Sequence, residues 1–431
     1  MGKNQNDDPE IADLFDTMQY LRRDDPEIAE LAGKEENRLE STLNLIAAEN
    51  HCPRSILEVM GSVFNTKTIE GYPGKRFHAG CEYVDVVENL AIHRAKDLFG
   101  AEYVNVQPHS GTSANLAVYF SVLDVGDRIL AMSLPHGGHL SHGHKASMTS
   151  KCFTFKHYSV DPETELIDYD LVREMALEFR PKMIVAGASS YPRLIDYERM
   201  AAIAKEVSAY LLADAAHIAG LIAGKVIPSP VPHCDFVTFT TYKTMMGGRG
   251  GVILAREKYG KRLNRAVFPG GQGTSAVSLI AAKAVIFKLA ATPEFMRLQQ
   301  KTAENASLMG QSMADKGYLL VTGGTENHQV VVDLKGKNIT GAKAETLLET
   351  AGIVLNRNVV PRDAEKPGRV SGLRIGTGGV TARGMGKTEM IQIVEWIDRI
   401  LQQPENETLP VQVRKEVNEL CERFPLYAND A

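Results

Sequence analysis

The chain has 431 residues, of which 44% are hydrophobic and 23% charged, and its formal net charge is −5. This length exceeds what one hydrophobic core usually spans, so we expect two or more domains. The mildly acidic charge gives no reason to expect nucleic acid or a membrane surface as a partner. No apolar run reaches about 18 residues, and residues 1–8 lack the apolar core of a signal peptide, so we predict a cytoplasmic protein.

A short duplication marks the start of the chain, where residues 7–12 and 24–29 both read Asp-Asp-Pro-Glu-Ile-Ala. Each copy predicts a helix start, because Asp caps helices, Pro suits the first helical position and acidic residues favour the positive end of the helix dipole. We expect residues 1–35 to form a helical arm that packs against a partner subunit. A frayed extension is an equally good interpretation of the first copy.

Short apolar strands alternate with helical segments from about residue 41 to about residue 290. The predicted strands lie at 104–106, 128–132, 183–186, 210–213 and 236–239. Such alternation predicts an α/β fold with a mostly parallel sheet covered by helices. Ligands bind beyond the carboxyl ends of strands in these sheets, and Asp214 directly follows one of them.

The pattern changes after a predicted helix at 293–316. Residues 318–321 and 329–333 predict strands of a smaller sheet, and further helices are expected at 343–349 and 387–401. We therefore predict three parts. They are the arm at 1–35, a large domain at 36–293 and a small C-terminal α/β domain at 294–431.

Asp214 and Lys243 are the pair that most strongly indicates a chemistry. Asp214 opens the sequence Asp-Ala-Ala-His, and Lys243 follows among small hydroxyl residues. A lysine can form a Schiff base with the aldehyde of pyridoxal phosphate, and a carboxylate can keep the pyridine nitrogen protonated. Each half is common alone, but together they favour a pyridoxal phosphate enzyme.

Further residues could complete such a site. Residues 109–115 follow a strand and open a helix, so their N–H groups and hydroxyls could bind an oxyanion, although an ordinary helix cap has the same composition. The glycine turn at 268–273 could add donors across a subunit interface. Glu70 could be a general acid–base or simply solvated. Arg374 could bind a carboxylate bidentately or pair with a structural acid.

Four histidines fall within nine residues: His136, His139, His142 and His144. Imidazoles suit zinc, copper or nickel, but the run contains no Cys or carboxylate and its glycines leave the geometry unfixed. The five cysteines are scattered without C-x-x-C spacing, which argues against a disulfide framework and a zinc site. We favour an imidazole stacked on a cofactor ring over a metal site.

Ordered motifs from about residue 24 to about residue 401 resemble the serine hydroxymethyltransferase family. They lie at 45–50, 70–76, 80–85, 107–111, 136–140, 214–217, 243–251, 268–272 and 374–377. The resemblance implies a fold-type I transferase that uses pyridoxal phosphate, with a large domain and a smaller C-terminal α/β domain. It also implies transfer of a one-carbon unit between serine and tetrahydrofolate, with glycine as product, by retro-aldol cleavage of the Cα–Cβ bond.

Carried over by position, the resemblance implies Lys243 as the Schiff-base lysine, Asp214 as partner of the pyridine nitrogen and His136 stacked on the ring. The residues around the ring oxygen and the phosphate would be Ser189, His217, Ser110, Gly111 and Thr112, with Gly271 from a neighbouring subunit.

At the substrate, the resemblance implies that Arg374 binds the amino-acid carboxylate. Glu70 would transfer a proton at the hydroxymethyl group, close to the folate. Because active sites of this family combine residues of two chains, a homodimer or a dimer of dimers is implied.

The chain departs from the family pattern where substrate binds. The family usually has Ser at position 48, Tyr at positions 68 and 78, and His at position 242. This chain has Ala48, Thr68, His78 and Tyr242 there. The chain differs from the family at two further places. Residues 246–249 lack the Pro that the family usually has before the Arg, and Arg362 stands where the family usually has an Asn near the folate.

Loss of the Ser hydroxyl and of one Tyr ring would open space near the substrate Cα. An α-methylserine substrate, giving D-alanine, would use that space, so we keep α-methylserine hydroxymethyl transfer as an alternative to serine–glycine exchange. A folate-independent threonine-type aldolase or transaldolase is a further alternative. A catalytically idle scaffold protein is the last, and the intact set of Lys243, Asp214, His217 and Arg374 argues against it.

Overall fold

The computed structural model describes residues 18–363 and 370–427. The first copy of the duplicated motif lies outside these residues. The second copy begins a helix as predicted, because Asp25 Oδ1 accepts a hydrogen bond from the Ile28 N–H at 3.1 Å and Pro26 occupies the first helical position. Side-chain capping of this kind satisfies an N–H group that the helix itself leaves free.

The described residues contain fifteen strands. They are β1 Leu43–Asn44, β2 Gly71–Tyr72, β3 Lys75–Arg76, β4 Tyr103–Asn105, β5 Arg128–Met132, β6 Thr154–Tyr158, β7 Met183–Gly187, β8 Tyr210–Asp214, β9 Phe236–Thr240, β10 Gly251–Ala255, β11 Leu319–Leu320, β12 Gln329–Asp333, β13 Ile353–Val354, β14 Asn356–Asn358 and β15 Gly372–Gly376.

Sixteen α-helices lie in the same part of the chain. They are α1 Gln19–Asp24, α2 Pro26–Ser41, α3 Arg54–Met60, α4 Glu82–Phe99, α5 Gly111–Val122, α6 Met148–Cys152, α7 Tyr169–Phe179, α8 Tyr197–Glu206, α9 Ala219–Ala223, α10 Gly260–Arg265, α11 Val277–Ala290, α12 Pro293–Asp315, α13 Gly341–Thr350, α14 Gly378–Ala382, α15 Lys387–Gln402 and α16 Thr408–Arg423.

A seven-stranded sheet in the order β4-β10-β9-β8-β7-β5-β6 forms the centre of the large domain. Strands β5 to β9 run parallel, and β10 is antiparallel to both β9 and β4. Alternate residues face opposite sides of the sheet, and each side has its own apolar core. Ile184 and Val237 lie in one core, while Val185 and Phe236 lie in the other. Helices cover both cores, which explains why these strands read as continuous apolar runs.

A smaller antiparallel sheet, in the order β11-β12-β15-β14, carries Arg374 opposite Val331. Its core also contains Leu43 and Leu45 from the N-terminal part of the chain. Strand β1 pairs in parallel with β13, so that Leu43 lies opposite Ile353. One early segment therefore completes a core that is otherwise built from residues 309–421.

The predicted strand at 318–321 is shorter in the structure, where β11 covers only Leu319–Leu320. The chain turns at Thr322, which has a positive φ of 63° and whose N–H donates to Glu165 Oε2. This left-handed residue ends the strand. None of the helices in the described ranges is long and apolar enough to span a bilayer.

Candidate active site

A cavity of about 70 Å³ lies at the carboxyl ends of β8 and β9 and at the start of α5. Ligand sites are expected at this edge of a parallel sheet. Eight residues predicted from the sequence line it, namely Ser110, Gly111, Thr112, Ser189, Asp214, His217, Tyr242 and Lys243. His139, Ala188, Ala216 and Thr240 complete the wall.

The N-terminus of α5 forms one side of the cavity. Ser110 caps the helix, accepting from the Ser113 N–H at 3.2 Å, and the Ser113 hydroxyl accepts from the Ser110 N–H at 2.8 Å. A Cβ at Gly111 would lie only 2.8 Å from Thr240 Cγ2, so the backbone can approach closely only with glycine here. Helix N-termini of this kind bind phosphate groups.

Asp214 is buried at the end of β8 and is held by three donors. Its Oδ2 accepts from Asn115 Nδ2 at 2.8 Å and from His142 Nε2 at 3.0 Å, and its Oδ1 accepts from the Ala216 N–H at 3.1 Å. Burial by itself raises the pKa of Asp214, but the hydrogen bonds from His142 and Asn115 and the electrostatic effect of His142 outweigh it and hold that pKa well below the usual value. The carboxylate is therefore anionic.

Sequence reasoning did not identify Asn115 and His142 as partners of this carboxylate. The His139 N–H donates to His142 Nδ1 at 3.2 Å, so the proton of His142 lies on Nε2 and points at Asp214. The Asn115 amide is oriented by Thr238, whose hydroxyl donates to Asn115 Oδ1 at 2.6 Å. Asn115 lies in the predicted oxyanion-binding segment 109–115 and His142 lies in the run of four histidines, but nothing in the neighbouring sequence links either residue to Asp214.

Lys243 is 7% exposed and lies on the loop that follows β9. Burial lowers the pKa of Lys243 to about 8, against the opposing effect of the Asp214 charge. The loop is anchored by Thr244, whose hydroxyl donates to the His217 carbonyl at 2.9 Å and accepts from the Gly220 N–H at 3.0 Å. About a tenth of the amine is therefore uncharged, and hence nucleophilic, one pH unit below the pKa of Lys243.

The structure places His139, and not His136, at the cavity. His136 Nδ1 instead accepts from the Val160 N–H at 3.0 Å. The ring-stacking role of His136 stays a prediction, and His139, three residues later, is a second imidazole at the cavity wall. Burial lowers the pKa of His139 to about 4, so its ring is uncharged.

His217 carries a buried polar atom that the protein leaves unsatisfied. Its Nδ1 finds no hydrogen-bond partner among the described residues. Burial, reinforced by the charges of Lys243 and Arg374, lowers the pKa of His217 well below its usual value. The uncharged ring stacks on His328 with a centroid separation of 5.7 Å. An unpaired buried nitrogen at a cavity wall suits a polar group of a bound molecule.

Arg374 reaches the site from the small domain. Its Nε donates to Asn356 Oδ1 at 3.0 Å, and its Nη1 donates to the Ser189 carbonyl at 2.8 Å. Burial lowers the pKa of Arg374 to about 10, so the guanidinium is still charged at neutral pH. It thus supplies a fixed positive charge beside the cavity.

Besides His136 and Arg374, four predicted residues do not line this cavity, namely Thr68, Glu70, His78 and Gly271. Glu70 Oε2 lies 3.3 Å from His78 Nε2. The Ile69 N–H donates to Thr274 Oγ1 at 2.8 Å, which ties this segment to the glycine turn. Gly271 itself lines a separate cavity of about 810 Å³. The predicted residues therefore form two groups within one chain.

His139, His142 and Asp214 bring three ligand atoms within 4.8 Å of one another. The carboxylate that the histidine run lacked thus comes from β8. However, His142 Nε2 is already hydrogen-bonded to Asp214, which accounts for their proximity.

The sequence matches the family model described as serine hydroxymethyltransferase over residues 21–397. The match covers both the large sheet with Asp214 and Lys243 and the small sheet with Arg374. The chain therefore belongs to the serine hydroxymethyltransferase family, whose members are fold-type I enzymes that use pyridoxal phosphate.

Proposed function

We propose that this chain is a pyridoxal phosphate-dependent hydroxymethyltransferase that moves a one-carbon unit between serine and tetrahydrofolate, with glycine as the amino-acid product. The observation that carries the proposal is the buried Lys243 beside the buried anionic Asp214 in a cavity bordered by a helix N-terminus. Such a set provides a nucleophile, a counter-charge and an anion site within one cavity.

Pyridoxal phosphate fits the residues of the cavity. Lys243 offers an amine for its aldehyde, and Asp214 offers a carboxylate for its ring nitrogen. Ser110, Gly111 and Thr112 would hold the phosphate. The unpaired Nδ1 of His217 would contact a polar group of the ring, and Ser189 would lie nearby. The flat ring of His136, as predicted from the sequence, or that of the neighbouring His139 would stack on it.

When bound there, pyridoxal phosphate supplies a ring that withdraws electrons from the substrate Cα. Asp214 stabilises a protonated ring nitrogen, and its three donors fix the carboxylate in advance. The Lys243 amine would be placed to carry a proton to or from the substrate Cα. Arg374 holds the substrate carboxylate and so fixes which Cα bond is cleaved.

A second copy of the chain would complete the site. Thr68, Glu70, His78 and Gly271 lie away from the cavity of their own chain. Phe77, between Glu70 and His78 in the fold, exposes 74% of its surface, which suits burial in an interface. We propose a homodimer or dimer of dimers in which this segment reaches the neighbouring cavity and Glu70 accepts the proton of the substrate hydroxyl.

α-Methylserine, giving D-alanine, is the second candidate substrate. Ala48 lies in a segment fixed to Arg374's strand, since the Gly376 N–H donates to the Leu45 carbonyl at 2.8 Å. His328 Nε2 also contacts the Ala47 carbonyl oxygen at 3.1 Å. The small side chains of Ala48 and Thr68 would leave room for an extra methyl group on Cα.

Absorbance titrations separate these candidates. The holoenzyme would receive glycine or D-alanine, each with and without tetrahydrofolate. A long-wavelength band that appears with glycine and grows with folate supports serine–glycine exchange. If the band appears mainly with D-alanine, it supports the α-methylserine alternative. If tetrahydrofolate does not change the band with either amino acid, the transfer proposal is overturned in favour of an aldolase.

Cofactor capture by the apoprotein is expected to depend on pH. Because only the uncharged amine attacks an aldehyde, the capture rate should rise with pH and level off above about 8, the pKa of Lys243. Each unit below this value lowers the uncharged fraction about tenfold. Stopped-flow absorbance of apoprotein mixed with pyridoxal phosphate measures the rate.

Asp214→Asn is the matched control for this profile. The Asp214 charge raises the pKa of Lys243, so its removal should move the break to lower pH. A capture rate that does not vary with pH in the wild-type protein contradicts the role given to the Lys243 amine.

A further inference from the structure

Glu70 and His78 face each other across a short hairpin. Strands β2 and β3 pair at Tyr72 and Lys75, and the Phe77 N–H donates to the Glu70 carbonyl at 3.1 Å, which extends the pairing. His78 Nε2 consequently lies 3.3 Å from Glu70 Oε2. The two side chains are 45% and 39% exposed, so both can reach a neighbouring surface.

Arg76, the nearest arginine on the hairpin, does not neutralise Glu70. Its guanidinium is 4% exposed and is bonded to Asp85 at 2.8 Å and to Glu88 at 2.6 Å. It also donates to the Ile69 and Gly71 carbonyls. Among residues 18–363 and 370–427, His78 is the one basic residue whose side-chain nitrogen lies within 4 Å of the Glu70 carboxylate.

The other titratable groups near the pair are oriented elsewhere. Cys81 Sγ donates to the His78 carbonyl at 3.3 Å, and His109 Nε2 lies 3.2 Å from the Thr274 carbonyl oxygen. Lys67 lies beside Gly80, where a Cβ would be 3.9 Å from its Cε. The imidazole of His78 is therefore the group placed to exchange a proton with Glu70.

We propose that His78 is a positioning residue that shares a proton with Glu70. This inference rests on the proposed function, in which Glu70 meets the substrate hydroxymethyl group in the cavity of a second copy. When the Cα–Cβ bond breaks, its electron pair stays at Cα and the substrate oxygen becomes the carbonyl oxygen of formaldehyde. The hydroxyl proton passes to Glu70, and His78 stabilises or relays it.

The residue type at position 78 sets the pH range of this proton transfer. The family usually has Tyr here, which ordinarily ionises near pH 10, whereas imidazole ordinarily titrates between about pH 5 and 8. A protonated pair cannot accept the hydroxyl proton. Cleavage should therefore lose rate as the pH falls through an ionisation that depends on His78.

His78→Gln tests the inference in the holoenzyme, because the Gln amide can still donate to Glu70 but does not titrate. We expect kcat for serine cleavage to fall about tenfold, less than the roughly 10²–10⁴-fold that a direct acid–base group contributes, because Glu70 is retained. The acid limb of the kcat profile should move to lower pH, since Glu70 remains and a carboxyl group ordinarily titrates below an imidazole. KM for serine and cofactor affinity should be unchanged. His78→Phe, which cannot donate, should lower kcat further.

His93→Gln is the matched control. His93 makes the same kind of contact, 3.3 Å from Asp97, on an exposed part of α4. It should leave kcat and the pH profile unchanged. A double-mutant cycle adds a second readout, since the loss caused by His78→Gln should vanish in the Glu70→Gln background.

The outcomes distinguish this inference from the proposed function. An active enzyme whose His78→Gln profile keeps its acid limb at the wild-type pH overturns the inference alone. Additive losses of kcat in the double-mutant cycle of His78→Gln and Glu70→Gln would also overturn the inference. So would a loss of cofactor binding in His78→Gln that parallels its loss of activity. A wild-type protein that cleaves neither serine nor α-methylserine overturns the proposed function and this inference with it.

Discussion

Replacing Lys243 with alanine is expected to abolish turnover, lowering kcat by about 10⁴-fold, the upper end of what one acid–base group contributes. The variant loses the amine that would bind the cofactor aldehyde and carry the Cα proton. Borohydride reduction of the holoprotein followed by peptide mass spectrometry gives a readout independent of activity. The wild-type protein should carry the cofactor on the peptide that contains Lys243, and Lys243→Ala should carry none.

Lys283 provides an internal control in the same experiment. It is also buried, and burial lowers its pKa to about 7. Its Nζ, however, donates to the carbonyls of Val106, Pro108 and Gly251 at 2.5, 3.2 and 3.0 Å, and it does not line the cavity. Labelling at Lys283, or near-normal turnover of Lys243→Ala, would show that the Lys243 assignment is wrong.

The second large effect is expected from Asp214→Asn. Loss of the carboxylate removes the charge that stabilises a protonated ring nitrogen, so kcat should fall by about 10²–10³-fold, the scale measured for a preorganised electrostatic group. The variant also presents an amide to Asn115 and His142, both of which donate to the carboxylate. Because a buried donor without an acceptor costs about 1–3 kcal/mol, thermal denaturation should show a lower midpoint.

Asp235→Asn is the control for this variant. Asp235 precedes β9 at the amino-terminal end of the strand, away from the cavity. There it accepts from the Leu211 N–H at 3.0 Å and the Tyr259 hydroxyl at 2.9 Å. Its replacement can cost stability but should leave kcat unchanged. If both variants lose activity in proportion to stability, the special role of Asp214 is refuted.

The apolar runs predicted most of the large sheet because both of its faces are covered. Strand β5 matches the prediction at 128–132, and β8 extends one residue beyond it so that Asp214 is the last residue of the strand. Strand β11 was predicted too long, since the left-handed turn at Thr322 depends on Glu165, 157 residues earlier in the chain.

The site was predictable where a residue's role follows from its chemical type. The sequence predicted that Lys243 and Asp214 share a site, because a lysine and a carboxylate after strands indicate the cofactor, and both line the same cavity. The sequence predicted His136 as the stacking residue, but it did not indicate that His139, on the other side of the same glycine pair, would line the cavity. Their orientation depends on Gly137, with φ of 116°, and on Gly138, where a Cβ would be 2.3 Å from the Met132 carbonyl oxygen.

Asn115 and His142 could not be predicted for another reason. They meet Asp214 across 99 and 72 residues of chain, respectively. Contacts of this range are set by strand order and by the placement of α5, and a single sequence does not contain either explicitly. Only the tertiary structure brings Asn115 and His142 to the Asp214 carboxylate.

The pairing of β1 with β13 also has a consequence for synthesis of the chain. Leu43 is translated 310 positions before Ile353, its partner in the register. At about 5–20 residues per second, this apolar segment emerges roughly 15–60 s before the strand that shelters it. The core beside Arg374 is therefore assembled from segments that are translated far apart in time, and it cannot close before Ile353 has left the ribosome.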